Sequence, residues 1–121
     1  MGRRLAAWAR SYLAAFAEHP NTIRLLATTP VRAGALLRQY EAAVGCLLRA
    51  GWPDADVMHV ITTVESYVLG SALDVAAPTT AAPDYPLLNR VLSAAPPRAG
   101  FETGLSALLA GFAQRLDAVR T

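Results

Sequence analysis

Hydrophobic residues recur three or four positions apart along most of the chain, the spacing of one face of an α-helix. No stretch alternates with the period of a strand, and no internal repeat is evident. The pattern therefore predicts an all-α protein with five helices, over residues 5–18, 30–50, 54–75, 86–94 and 99–119. A short helical turn is predicted over residues 23–27.

Local signals mark where these helices begin and end. Thr29 is a suitable N-cap, with Pro30 at the first helical position. Gly51 is a natural C-terminal stop for the same helix. Asp54 and Asp56 place carboxylates in the first turn of the next helix, where they complement its dipole. Residues 76–84 lack periodicity and predict a loop.

The helix that begins at Asp54 has no side with the Lys and Glu residues that usually face water. At about 100° per residue, one broad apolar face predicts the side packed on the core. It consists of Val57, Val60, Ile61, Val64, Tyr67, Val68 and Ala72. The other side is only weakly polar and includes Met58, His59, Thr62, Thr63, Ser66, Leu69, Gly70 and Leu73. A helix buried all round needs a second partner, which is another copy of the chain, a ligand or both.

Small residues form a second stripe on the last helix, beside its large apolar face. The stripe contains Gly104, Ala107, Gly111 and Ala118, and a narrow seam of His59, Thr63, Ser66 and Gly70 runs along the Asp54 helix. Small side chains let another backbone come close, which offsets the cost of glycine in a helix. We expect the two helices to pair with the same helices of a second subunit. The alternative is ordinary core packing in a monomer.

In the short helix over residues 86–94, the pattern predicts that the hydrophobic side chains Leu87, Leu88, Val91 and Leu92 are buried.

The size and composition indicate one domain, residues 1–121, that associates with itself. Hydrophobic residues make up 54% of the chain and charged residues 17%, which is apolar for a monomer. All 11 basic residues are arginines, spread along the sequence, so the chain alone is not expected to bind DNA. No stretch is long and apolar enough for a membrane span. Arg10 interrupts a weak signal-peptide pattern in the N-terminal segment, which favours an amphipathic helix and a cytoplasmic protein over export.

Catalytic and metal-binding chemistry find little support. Cys46 has apolar neighbours and is expected to be a buried thiol, not a redox centre. His59 and Glu65 lie on different sides of their helix, and no serine or cysteine has an evident base. His19 and His59 do not form a metal-ligand spacing. We therefore predict that the protein is not an enzyme and needs no cofactor.

Four segments, in order, resemble the C-terminal ligand-binding domain of tetracycline-repressor-like (TetR family) transcriptional regulators. Residues 101–111 (FETGLSALLAG) look like the last helix of that domain. Residues 47–53 (LLRAGWP), running into 67–70 (YVLG), are similar to an earlier part. The end of the first helix at His19 and Pro20 and the break at Thr29 and Pro30 fit the same pattern. The resemblance covers nearly the whole chain.

The resemblance implies an orthogonal bundle of about five to six helices that forms a homodimer through a four-helix bundle. The Asp54 and Ala99 helices of both subunits would build it, with an interface expected at Thr63, Gly70, Gly104, Ala107, Leu108, Gly111 and Phe112. It also implies that DNA is bound only through an N-terminal helix-turn-helix domain, which does not match any part of this sequence. The alternative is a headless interaction protein that forms a heterodimer with a full-length regulator.

The resemblance further implies a pocket for a small, mostly apolar effector between the first, Pro30 and Asp54 helices. Aromatic and aliphatic candidates share one face of each of the first two helices, and four polar groups on the Asp54 helix are candidates to orient the ligand. The candidate set is Trp8, Tyr12, Phe16, Leu37, Tyr40, His59, Thr62, Glu65 and Ser66. Each has an alternative role: aromatic residues pack cores, hydroxyls bond back to the preceding turn, and Glu65 could pair with an arginine across an interface.

Overall fold

The computed structural model describes residues 2–18, 34–76, 82–94 and 99–120. These residues contain no strand, which confirms the all-α prediction. The five helices are α1 (Gly2–Glu18), α2 (Gly34–Ala50), α3 (Asp54–Ala76), α4 (Pro86–Ala94) and α5 (Ala99–Arg120). The predicted helical turn at 23–27, the start of the helix at Pro30 and most of the loop at 76–84 lie outside the described residues.

Helix α3 is the centre of the domain, because α1, α2 and α5 all pack against it. Helix α1 also contacts α5. One buried cluster joins α1, α3 and α5 and consists of Ala6, Ala9, Val64, Val68, Ala72 and Leu105. A second cluster adds the end of α2 and consists of Leu5, Leu47, Trp52, Val57, Val60, Ile61 and Leu116. The half-buried rings of Trp8 and Phe112 contact both clusters and make the core continuous.

The two sides of α3 differ as the sequence predicts. Six of the seven residues on the predicted core face are buried, and Tyr67 is half-buried. On the other side, Met58, His59, Thr62, Thr63, Ser66, Gly70 and Leu73 are exposed and Leu69 is half-buried. A weakly polar helix side thus faces outward in the single chain. Together with the exposed small residues of α5, it leaves a surface suited to another protein chain.

The junction between α2 and α3 is a tight C-terminal cap. Gly51 has a φ of 105°, the left-handed region that favours glycine. Its N–H donates to the Leu48 carbonyl at 3.0 Å, and the Trp52 N–H donates to the Leu47 carbonyl at 3.1 Å. These two bonds form a Schellman motif, which confirms Gly51 as the helix stop. The motif also directs Trp52 into the core, where it is buried.

The prediction that Leu87, Leu88, Val91 and Leu92 are buried is wrong. Leu87 is 69% and Val91 55% exposed, Leu88 is also exposed, and Leu92 is half-buried. The reason is that α4 packs against none of the other described helices. Periodicity identifies the apolar face of a helix but not the presence of a partner for it. Cys46 likewise is half-buried, not fully buried as expected.

Candidate functional site

A carboxylate and two phenols meet where α1 and α2 pack on the same flank of α3. Glu65 lies on α3, Tyr12 on α1 and Tyr40 on α2. Tyr40 donates a side-chain hydrogen bond to the Glu65 carboxylate, and the charge of Glu65 also acts on Tyr12. Burial and the charge of Glu65 raise the pKa of each tyrosine above the usual value for a tyrosine hydroxyl. Both hydroxyls therefore stay protonated and can donate hydrogen bonds at any physiological pH.

The aromatic side of this cluster extends along α1 to Trp8. The ring centroids of Trp8 and Tyr12 are 5.3 Å apart, and the rings are tilted by 57°. Both side chains are half-buried. Tyr40, also half-buried, packs against the second core cluster. The result is a wall of three partly accessible rings beside one carboxylate, and we refer to these four residues as the Glu65 cluster.

One oxygen of Glu65 has no hydrogen-bond partner among the described residues. Its Oε1 atom is buried, and no other described residue donates to it. Removing a carboxylate oxygen from water without replacing its hydrogen bonds is costly, so buried polar atoms normally have partners. The Glu65 cluster can therefore accept a donor from a bound molecule without first losing an internal bond.

Four of the remaining ligand-binding candidates do not join this cluster. Leu37 is 51% exposed on α2, and His59, Thr62 and Ser66 lie on the exposed side of α3. The three residues of α3 face solvent and not the Glu65 side, because successive residues of an α-helix are rotated by about 100° around its axis. The side chain of Phe16 lies outside the described part of the structure.

Two threonine hydroxyls on α3 form hydrogen bonds with the backbone of their own helix. The Thr62 hydroxyl donates to the Met58 carbonyl at 2.8 Å, and the Thr63 hydroxyl donates to the His59 carbonyl at 2.6 Å. Both bonds return to the preceding turn of α3, so neither hydroxyl depends on a ligand for a partner.

The expected interface residues surround a shallow groove on the other flank of α3. The groove has a volume of about 320 Å³ and is lined by Thr63, Gly104, Ala107, Leu108, Gly111, Phe112 and Arg115. All of the residues predicted for the interface except Gly70 are in this set. A Cβ added at Gly111, or at Gly70, would meet nothing within 4 Å in the single chain. The space beside these two glycines is open to another chain.

Tyr67 and Arg115 also belong to this region, although the sequence pattern predicted neither of them for the interface. The Tyr67 hydroxyl donates to the Phe101 carbonyl at 2.8 Å, and its ring stacks on Phe101 with centroids 5.5 Å apart. Tyr67 reaches α5 across Gly104, so this glycine serves packing within the chain. Arg115 follows Gly111 by four residues, and helical projection of the small-residue stripe could have found it.

Glu65 and Thr63 place the two sites on opposite flanks of one helix. They are two residues apart, a separation of about 160° around α3. The flank with Glu65 faces α1 and α2, and the flank with Thr63 borders the groove on α5. Both flanks therefore belong to the same helix.

The described residues contain neither a metal-binding cluster nor a membrane-spanning helix. No three His, Cys, Asp or Glu side chains there lie close enough together to hold a metal ion. Among the described helices, none has both the length and the hydropathy needed to cross a membrane.

The chain matches the model of a known protein family. The family model of the tetracyclin repressor-like C-terminal domain matches residues 2–116, which is most of the chain. The search of curated proteins found no significant match.

Proposed function

The chain belongs to the family of tetracyclin repressor-like C-terminal domains, and from this premise we propose that it is the effector-binding and dimerisation domain of a transcriptional regulator. Domains of this family typically bind small effectors and dimerise. In the proposed regulator, each subunit carries a DNA-binding domain that binds the operator. The present domain controls the distance between the two DNA-binding domains of the dimer.

The observation that carries the proposal is the position of two different surfaces on α3. The Glu65 cluster combines apolar rings with one placed carboxylate, which is the composition of a small-molecule site. The groove beside Thr63 is apolar and lined by small residues, which is the composition of a close helix–helix contact. One helix thus forms part of both.

We assign the effector site to Trp8, Tyr12, Tyr40 and Glu65. Three helices supply these residues, so a ligand seated among them would restrict how α1 and α2 pack on α3. His59, Thr62 and Ser66 are better suited to the subunit interface, because they lie on the exposed side of α3 together with Thr63. Of the polar residues of α3, we therefore assign Glu65 to the ligand and the other three to the interface.

The proposed mechanism is a population shift. Two arrangements of α3 against its neighbours differ little in free energy, and the effector binds one of them more tightly. Because α3 also borders the groove, that preference changes the geometry of the dimer and of the attached heads. A ligand shifts such an equilibrium only by its difference in affinity for the two states.

Isothermal titration with a panel of small, mostly apolar compounds tests the sensing function. We expect at least one compound to bind with a dissociation constant in the micromolar range or below, and Tyr40→Ala to weaken it by about tenfold or more. Leu87→Ala is the matched control, since this exposed side chain lies on α4. Failure of the whole panel, or equal binding by the Tyr40 variant, would contradict the assignment of the site.

A further inference from the structure

We infer that the effector is an organic cation, a protonated amine or quaternary onium group on an apolar frame, whose charge lies against Glu65. This inference rests on the effector site proposed above and names its ligand class. The rings of Trp8, Tyr12 and Tyr40 would contact the frame and the face of the cationic group.

The charge of Glu65 favours a cationic ligand. Within the described part of the chain, no cationic side chain forms an ion pair with Glu65. The ion pair found there joins Arg10 to Glu102. The hydroxyls of Tyr40 and Tyr12 interact with Glu65, and both are neutral donors. A neutral ligand could donate to the buried Oε1 atom but would leave the negative charge uncompensated. A cationic ligand supplies both the donor or close contact and the opposite charge.

The aromatic environment also favours a cation. Cations bind favourably over the faces of Trp and Tyr rings within about 6 Å of the ring centroid, and sites for quaternary ammonium groups are commonly built from such rings. Trp8 and Tyr12 present two rings 5.3 Å apart at an angle of 57°, so they form a corner and not a flat stack. Tyr40 adds a third ring on the neighbouring helix.

The donor set favours an organic cation over a metal ion. Calcium takes six to eight oxygen ligands, and magnesium takes six in octahedral geometry, some of them water molecules. The Glu65 cluster offers a single carboxylate, and the described residues contain no cluster of three metal-binding side chains. Anionic ligands are disfavoured by repulsion from Glu65. The donor set therefore suits a large cation of low charge density.

Three probes of similar shape test the charge of the ligand directly. Tetraphenylphosphonium is cationic, tetraphenylborate is anionic and triphenylphosphine oxide is neutral. We expect calorimetric titration of the full chain to show tetraphenylphosphonium binding at least about tenfold more tightly than either of the others. Glu65→Gln preserves the size of the side chain and is expected to remove about tenfold or more of the cation's affinity. Binding of the neutral probe should change little.

Glu41→Gln is the matched control, because it removes the same charge from an exposed position on α2. It should leave all three affinities within about twofold, and thermal melts confirm that both variants are folded. If Glu65→Gln does not fold, Glu65→Asp replaces it and should weaken cation binding by withdrawing the carboxylate. Equal binding of the three probes, lost in Tyr40→Ala, overturns the cationic class but leaves the effector site standing. Absence of binding by all three overturns the inference, and failure of the broader compound panel as well overturns the effector site.

Discussion

The ring of Tyr67 lies in the space that a side chain on Gly104 would occupy. An ideal Cβ at Gly104 would be 2.7 Å from Tyr67 Cζ and 2.9 Å from Cε2. These distances are shorter than real contacts, so any larger residue at this position must displace the ring. The ring is held by stacking on Phe101 and by its hydrogen bond to the Phe101 carbonyl.

Gly104→Ala is therefore expected to destabilise the domain. Overpacking of this kind costs about 1–3 kcal/mol, more than the gain in helix propensity from alanine. Chemical denaturation of the single variant gives this value. Tyr67→Phe removes the hydroxyl nearest to the added Cβ, so the double variant should lose less stability than the sum of the two single variants. Strict additivity, or a Gly104→Ala variant more stable than the parent, would show that Tyr67 does not fill this space.

A pair of leucine truncations tests the different environments of α2 and α4. Leu47 is fully buried, whereas Leu87 is 69% exposed. We expect Leu47→Ala to lower the free energy of unfolding by about 2–5 kcal/mol and Leu87→Ala by no more than about 0.5 kcal/mol. Urea denaturation of both variants measures the difference. A large loss for Leu87→Ala would mean that α4 packs against something in the folded protein.

The left-handed conformation of Gly51 predicts an asymmetric response to alanine. Gly51→Ala should destabilise the domain by about 1–2 kcal/mol, because an alanine there is strained. A Cβ at this position would also approach Arg120 Nε to 2.9 Å. Gly45→Ala, inside α2, is the control, and the nearest atoms to its Cβ would be those at the flexible end of Arg49. It should be neutral or stabilising by up to about 1 kcal/mol. Thermal melts that rank the two variants the other way round would be inconsistent with the Schellman cap.

The bond between α1 and α5 predicts a small dependence of stability on pH. Arg10 Nε and Nη2 donate to the two Glu102 oxygens at 2.9 and 2.8 Å, and this bond lowers the pKa of Glu102. The contribution of the pair is therefore present above the pKa of an unfolded glutamate and is lost as the pH falls through the lowered folded value. Both side chains are more than half exposed, so the effect is small and decreases with salt.

Melting temperatures measured between acidic and neutral pH test this relation. Glu102→Gln should melt below the parent at neutral pH, and the difference should disappear in acid. Glu41→Gln, which changes an exposed residue of α2, should show no comparable loss at neutral pH. A difference for Glu102→Gln that grows on acidification has the wrong sign for the pair.

The helices could be predicted from the sequence because each carries a broad apolar face and clear terminal signals. The core face of α3, from Val57 to Ala72, follows directly from a period of 3.6 residues. The same period places Gly104, Ala107 and Gly111 on one stripe of α5, and in the structure they line one groove. Their part in a subunit interface stays a prediction. Such groupings depend only on positions within a single helix.

Contacts between helices could not be predicted in this way. The hydrogen bond between Tyr40 and Glu65 depends on how α1, α2 and α3 cross, and no pattern within one helix encodes that geometry. The pattern of α3 alone therefore groups Glu65 with His59, Thr62 and Ser66, although Glu65 lies at the edge of the core face and the other three face outward. The predicted burial of Leu87 is wrong for the same reason, because the amphipathicity of a helix does not show which other helix packs against it.

Sedimentation equilibrium of the full chain is the most direct test of the central claim, that α3 and α5 form a dimer interface around the Thr63 groove. We predict twice the mass of one chain at micromolar concentration. Gly111→Arg, which places a charge in the groove, should weaken dimerisation by at least about thirtyfold, while Ala113→Arg on the opposite side of α5 should not. A monomeric parent chain at these concentrations, or a dimer weakened equally by both arginine variants, would contradict the proposed interface.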